Sequence, residues 1–235
     1  MDNFEIFLPG LDSQYKFLIS RTELKDKRIL VLGSESTFVA QKFAELSGTP
    51  VNLIVEDYES LLNSKLKLND NPNVHTALMD FEFTDFENNS FDVIYAQASI
   101  SCTRRNKIVK EIKRILKLKG LFCVGEITTY NETIPRFIQN IFDNAGIVPL
   151  QLSKLGNYYS ERNFKVIDDL NLTFTLKDYY SRVLSNLNRE MKSLSDKEKS
   201  YYKKLLNKIG HEAKVYLNHG GDRFFGFTAS LLELE

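Results

Sequence analysis

Cysteine, proline, glycine and net charge are all scarce in this sequence of 235 residues. The two cysteines, Cys102 and Cys123, form no CxxC pair and have no histidine at metal-ligand spacing. Neither a disulfide framework nor a metal site is expected from them. With 5 prolines and 11 glycines, a collagen-like or Pro/Gly-rich chain is excluded. The formal net charge is zero, 31 Lys+Arg against 31 Asp+Glu. That balance gives no general attraction to nucleic acid or to an anionic membrane. No stretch approaches the ~18 uninterrupted apolar residues of a membrane span. The opening MDNFEIFLPGLDSQ carries acids and has no basic region ahead of an apolar run, which argues against a signal peptide. A cytoplasmic protein is expected. Hydrophobic residues at 43% exclude a disordered chain, and a chain this long buries most of its apolar surface without staples.

What is present is a regular alternation. RILVLG (28–33) is a short apolar run, followed by a helical stretch with Val39, Phe43 and Leu46 on one face, Ser36 as its N-cap and Gly48 as its stop. VNLIVEDY (51–58) is a second run, and a polar helix extends to about residue 68. NVHTALMD (73–80), SFDVIYAQAS (90–99) and GLFCVGEIT (120–128) are further runs. Residues 104–119 read as a basic amphipathic helix, and 131–146 as another with Pro135 in its first turn. The runs are continuously apolar, which favours a parallel sheet covered on both faces, with ligands at the carboxyl ends of its strands.

After residue 150 the pattern changes. Residues 150–176 read as irregular. Residues 178–209 read as helical, with Tyr180, Leu184, Leu187, Met191 and Leu194 at 4-3-4-3 spacing. That stripe is a core-facing side or a dimer interface. SDKE (195–198) has the form of a capping box, and RFFGFTASLLEL (223–234) reads as a closing strand.

The order of these pieces resembles the class I S-adenosylmethionine-dependent methyltransferases, nearest to the small-molecule type called methyltransferase type 11. Four stretches carry the resemblance: RILVLGSES, VNLIVEDY, MDFEFTDFENNSFDVIYAQAS and EIKRILKLKGLFCVGE. Lined up on Gly33, Val31 stands where the family has an acid, and Glu35 and Thr37 stand where it has its second and third loop glycines. The resemblance implies a Rossmann-like α/β three-layer sandwich with a seven-stranded, mostly parallel sheet and a helical cap. It implies a lead-in or lid (1–27), a cofactor-binding core (28–149), a cap (150–215) and a closing strand (216–235).

The implied cofactor is S-adenosylmethionine, leaving as S-adenosylhomocysteine, and the implied partner is a small-molecule acceptor. Gly33, Ser34 and Glu35 would form the first loop. Glu56 or Asp57, about twenty residues on, would bind the ribose hydroxyls. Asp80 and Phe81 would meet the adenine, and Gln97 would line the pocket. Tyr15, Tyr158 and His219 are candidates for the acceptor pocket, each with plain packing or a surface position as the alternative. His75 and Asp92 read as structural, and no catalytic base is identified. A homodimer through the cap is the reading that the 180–194 stripe leaves open. The alternative function is a pseudo-methyltransferase, the same fold kept as a binding or scaffolding module.

Overall fold

The computed structural model describes residues 6–69 and 71–235, without the side chains of residues 202, 204 and 205; residues 1–5 of the expected lead-in lie outside it. Strand β1 (Ile29–Leu32) lies in the middle of the sheet, parallel to β2 (Val51–Val55) on one side and β4 (Phe91–Gln97) on the other. β3 (Val74–Leu78) extends the sheet beyond β2, and β5 (Leu116–Thr129) continues it beyond β4, both parallel. β8 (Phe225–Leu234) pairs antiparallel with β5 and with the edge strand β7 (Phe164–Asn171). The path is β3-β2-β1-β4-β5-β8-β7, and a two-residue β6 (Leu150–Gln151) joins the end of β5. The sheet therefore has eight strands; the seven expected ones are joined by β6, which is too short to leave a hydrophobic run in the sequence.

The unbroken apolar runs have the expected cause. In β1, Ile29 and Val31 belong to one core cluster, and Leu30 and Leu32 to the other, on the opposite face. The first face is covered by α1 (Leu11–Ile19), α2 (Thr37–Ser47), α3 (Tyr58–Leu68) and α5 (Arg136–Ala145), together with parts of α7 (Leu176–Ser193) and α8 (Asp196–Asn218). The second face carries α4 (Arg105–Ile115) and α6 (Leu152–Ser160).

Two expectations about elements are corrected. The helix expected over 104–119 ends at Ile115, because Leu116 turns extended and pairs with Phe91. The polar Lys117–Gly120 stretch is accommodated as a register shift before Leu121 rejoins β4 at Val93. The stretch 150–176 is not irregular. It holds β6, α6 and β7, two strands of the sheet and a helix on its second face, ahead of the α7–α8 hairpin. The capping box forms: Ser195 accepts from the Glu198 backbone, and Glu198 accepts from the Ser195 backbone. The stripe on α7 packs at its start, where Tyr180 is buried, and is exposed by Met191.

A buried ionic cluster ties the second face together. Glu126 on β5 is fully buried; its carboxylate accepts from Ser101 Oγ at 2.6 Å, from Tyr159 Oη at 2.6 Å and from Arg105 Nε at 3.1 Å. Arg105 is also buried and donates to the Val148 carbonyl. The four side chains come from β5, the β4–α4 loop, α4 and α6, so the cluster fixes three elements against the sheet. A buried pair stripped of one partner leaves an uncompensated charge, at a cost of about 3–5 kcal/mol. Glu126→Ala is therefore expected to lower the melting temperature by roughly 10 °C in a thermal melt, at about 2–4 °C per kcal/mol for a chain of this size. Tyr159→Phe, which removes one hydroxyl, should cost about 1–2 kcal/mol.

On the first face, burial pushes the Glu212 carboxyl up, against the lowering effect of the Tyr180 hydroxyl that donates to it at 2.9 Å. The folded protein thus holds this proton to higher pH than the unfolded chain does. Stability is lost as pH rises from the ordinary carboxylate value through the raised one. Glu212→Gln removes that loss, so melting curves across this range should show the variant gaining on the wild type as pH rises. A constant difference would refute the assignment.

Candidate functional site

The carboxyl ends of β1, β2 and β4 emerge side by side, because Leu32 is in register with both Ile54 and Ala96. The chain leaves β1 at Gly33, whose φ is +121° and whose N–H donates to the Ile54 carbonyl at 3.0 Å. A Cβ at Gly33 would lie 2.8 Å from Ser99 Cβ. Only glycine allows the β1 loop and the β4 loop to approach this closely.

Two hydroxyls flank this contact without partners. Ser36 Oγ and Ser99 Oγ are both buried and have no hydrogen-bond partner among the described residues, and they lie 3.6 and 3.4 Å from the position of that Cβ. Ser36 occupies the N-cap position of α2, fully buried, yet its side chain makes no capping bond. A buried hydroxyl without a partner is costly. The first N–H groups of a helix are also unpaired. The loop is therefore a polar cradle with open hydrogen-bonding valence.

Around it the candidate residues take distinct positions. Ser34 and Glu35 are exposed on the loop. Glu35 has φ +64°, the left-handed conformation, at the place where the resemblance puts a glycine. Its carboxylate pairs with Lys67 on α3. Asp57 caps α3, accepting from the Ser60 backbone N–H at 2.8 Å and from Ser60 Oγ at 2.6 Å, and these bonds hold its carboxyl below the ordinary value. Glu56 is the acid that turns along the strand ends. Its Oε1 accepts from the Phe81 N–H at 3.0 Å, and its Oε2 accepts from Arg104 at 2.6 Å. Arg104 also reaches Asp80 and Glu82, each at 3.3 Å. Phe81 is buried in the second core cluster. A row of three acids thus runs along the ends of β2 and β3, bridged by one guanidinium.

Gln97, expected to line the pocket, is fully engaged by protein. Its Nε2 donates to the Pro9 and Leu11 carbonyls at 2.9 and 3.0 Å, and its Oε1 accepts from Tyr95 Oη at 2.6 Å. The lead-in is held here by a side chain from β4. Its helix is anchored similarly, Gln14 donating to the Ala96 carbonyl at 3.0 Å.

The three acceptor-pocket candidates are not brought together. Tyr15 packs against Phe43 on the first face, with ring centroids 5.4 Å apart. Tyr158 packs on the second, donating to Asn106, with Arg162 stacked 3.7 Å from its ring. His219 is the exposed C-cap of α8. His75 and His211 are exposed as well. Asp92 is structural as expected, accepting from the Arg28 N–H at 2.9 Å and from Lys117 at 2.8 Å.

Sequence reasoning missed Ser36 as an unpartnered hydroxyl, Ser99 and Arg104. In the sequence Ser36 is legible only as an N-cap, Ser99 only as the end of an apolar run, and Arg104 only as the start of a basic helix. A cleft of about 1000 Å³ opens beside Asp80 and Glu82, against Phe83, Phe86 and Arg114. It adjoins the acid row but lies away from the cradle.

Residues 31–124 match the family model described as a methyltransferase domain. No curated protein sequence matches the chain. Solved structures match over nearly its whole length. A putative sarcosine dimethylglycine methyltransferase from Galdieria sulphuraria is 16% identical with a TM-score of 0.74, covering 93% of this chain and 82% of that one. A phosphoethanolamine N-methyltransferase from Haemonchus contortus, solved with phosphomonomethylethanolamine and S-adenosylhomocysteine, is 17% identical with a TM-score of 0.79; the match covers 97% of this chain and 54% of that one. The cyclase SpnF is 14% identical with a TM-score of 0.76, covering 95% and 80%. Sequence identities this low establish the shared fold and leave the reaction to the site. Within that shared fold, the stretch matching the methyltransferase-domain model, residues 31–124, holds the strands whose ends carry Gly33, Glu56 and Asp80.

Proposed function

We propose that the chain is an S-adenosylmethionine-dependent methyltransferase acting on a small-molecule acceptor. The observation that carries this reading is the cradle at Gly33, with the unpartnered hydroxyls of Ser36 and Ser99 beside the N-terminus of α2. These groups fit a ligand that brings its own donors and acceptors, such as the amino-acid end of the cofactor. Glu56 is the acid suited to the ribose diol; Asp57, its neighbour, is committed to capping α3. Phe81 supplies an apolar wall beside Asp80.

When bound, the cofactor supplies a methyl group already activated on a sulfonium. The chain's task is then mainly to hold and orient, which contributes several kcal/mol through proximity alone. A base is needed only where the acceptor must lose a proton. The three histidines are all exposed, and none is assigned that role. The binding-module alternative draws on one observation: Glu35, Glu56 and Gln97 all have protein partners.

Calorimetric titration with S-adenosylmethionine and S-adenosylhomocysteine separates the two readings. Micromolar binding is expected. Glu56→Ala should weaken it by about tenfold or more, the effect of losing a hydrogen bond to a charged group. Asp57→Ala should leave affinity within about twofold while costing about 1 kcal/mol of stability as a lost cap. The reverse pattern would return the ribose role to Asp57, and no binding at millimolar cofactor would leave the module reading. Gly33→Ala is expected to abolish binding and to lower stability by about 1–3 kcal/mol, because it combines a strained φ with a contact too short for a Cβ. Retention of wild-type affinity by this variant would remove the cradle from the site.

A further inference from the structure

Each of the two carboxylate oxygens of Glu56 already accepts one hydrogen bond. One accepts from the Phe81 N–H, a backbone group at the end of β3 that cannot turn away. The other accepts from Arg104, a side chain about 40% exposed at the start of α4. A diol that takes both oxygens must share the second with the Arg104 guanidinium, which draws on the same negative charge, whereas the Phe81 bond is fixed by the fold. Arg104 has somewhere to go. Asp80 and Glu82 already touch its other terminal nitrogen at 3.3 Å, so giving up Glu56 does not leave the guanidinium without carboxylate partners.

From this we infer that Arg104 is a latch on the nucleoside half of the site: it closes Glu56 in the free protein and swings fully onto Asp80 and Glu82 when a ribose diol binds. The inference rests on the cofactor reading above and adds a positioning residue that sets when the diol acid is open. It has a consequence that ordinary charged-ligand binding does not share. An ion pair this exposed is weakened by salt, so salt should open the latch and strengthen binding. S-adenosylhomocysteine is the suitable probe, because its ammonium and carboxylate cancel and its sulfur is neutral. Adenosine, with no charge at all, is the second.

The test is calorimetric titration of wild type, Arg104→Met and the control Lys107→Ala, from low salt to about 0.5 M. Lys107, on α4 just after Arg104, pairs with Glu82 rather than with Glu56. In the wild type, affinity for S-adenosylhomocysteine should rise with salt by about two- to fivefold, the range of an exposed ion pair. Arg104→Met should bind about two- to fivefold tighter than wild type at low salt and lose the salt response. Lys107→Ala should behave as wild type. Binding by Arg104→Met alone would also support the latch. Weaker binding by Arg104→Met would overturn it, since Arg104 would then be holding the ligand. So would equal affinities with the same salt response. If neither protein binds S-adenosylhomocysteine or S-adenosylmethionine at millimolar concentration, the cofactor reading falls and the latch with it. If the wild type binds and the variant differs in neither way, only the latch falls.

Discussion

The site depends on the register of β1 between β2 and β4. Leu32 lies level with Ile54 and Ala96, so the loops that follow the three strands start from one line. These strands are apolar on both faces, and a slip would simply exchange one buried side chain for another. Hydrophobic patterning therefore does little to set the register here, unlike in a sheet with one wet face. Polar contacts at the strand ends do that work. The Gly33 N–H reaches Ile54, the Ala98 N–H reaches the Gly125 carbonyl, and Glu126 holds Arg105 of the following helix. Moving a strand by one residue would break several of these, and it would separate Gly33 from Ser99.

The polar atoms along this edge divide into those the protein has claimed and those it has left. Gln97 is claimed by the lead-in, Asp57 by the α3 cap and Glu35 by Lys67. Ser36 and Ser99 are left. Glu56 stands between these classes, held on one side by backbone and on the other by a side chain. That division is more informative than residue type alone, since acids at Glu56 and Asp57 are chemically alike and differ only in what already holds them.

The architecture was legible because it is written in contiguous runs. Apolar stretches of four to eight residues, separated by helical periodicity, specify a parallel sheet whatever the details. Local signals such as the SDKE capping box were equally readable. Less legible is whatever a distant partner decides. Which of Glu56 and Asp57 faces the strand ends depends on Ser60, Phe81 and Arg104. Gln97 is drawn off by Pro9 and Leu11, far away in sequence. The stretch 150–176 carried few apolar residues in a row because β7 is an edge strand with much of its length exposed, so its strand character left little trace.

The hairpin of α7 and α8 also bears on how the sheet is completed. Among the described residues β7 pairs only with β8, and residues 172–224 separate the two. A flexible connection of that length would have to surrender its closure entropy before the pairing could form. The hairpin removes much of that search. Tyr180 near the start of α7 lies against Tyr216 near the end of α8, with ring centroids 4.7 Å apart. Once the two helices zip together, the ends of the long connection are already adjacent, and the join between β7 and β8 becomes almost as local as a tight turn.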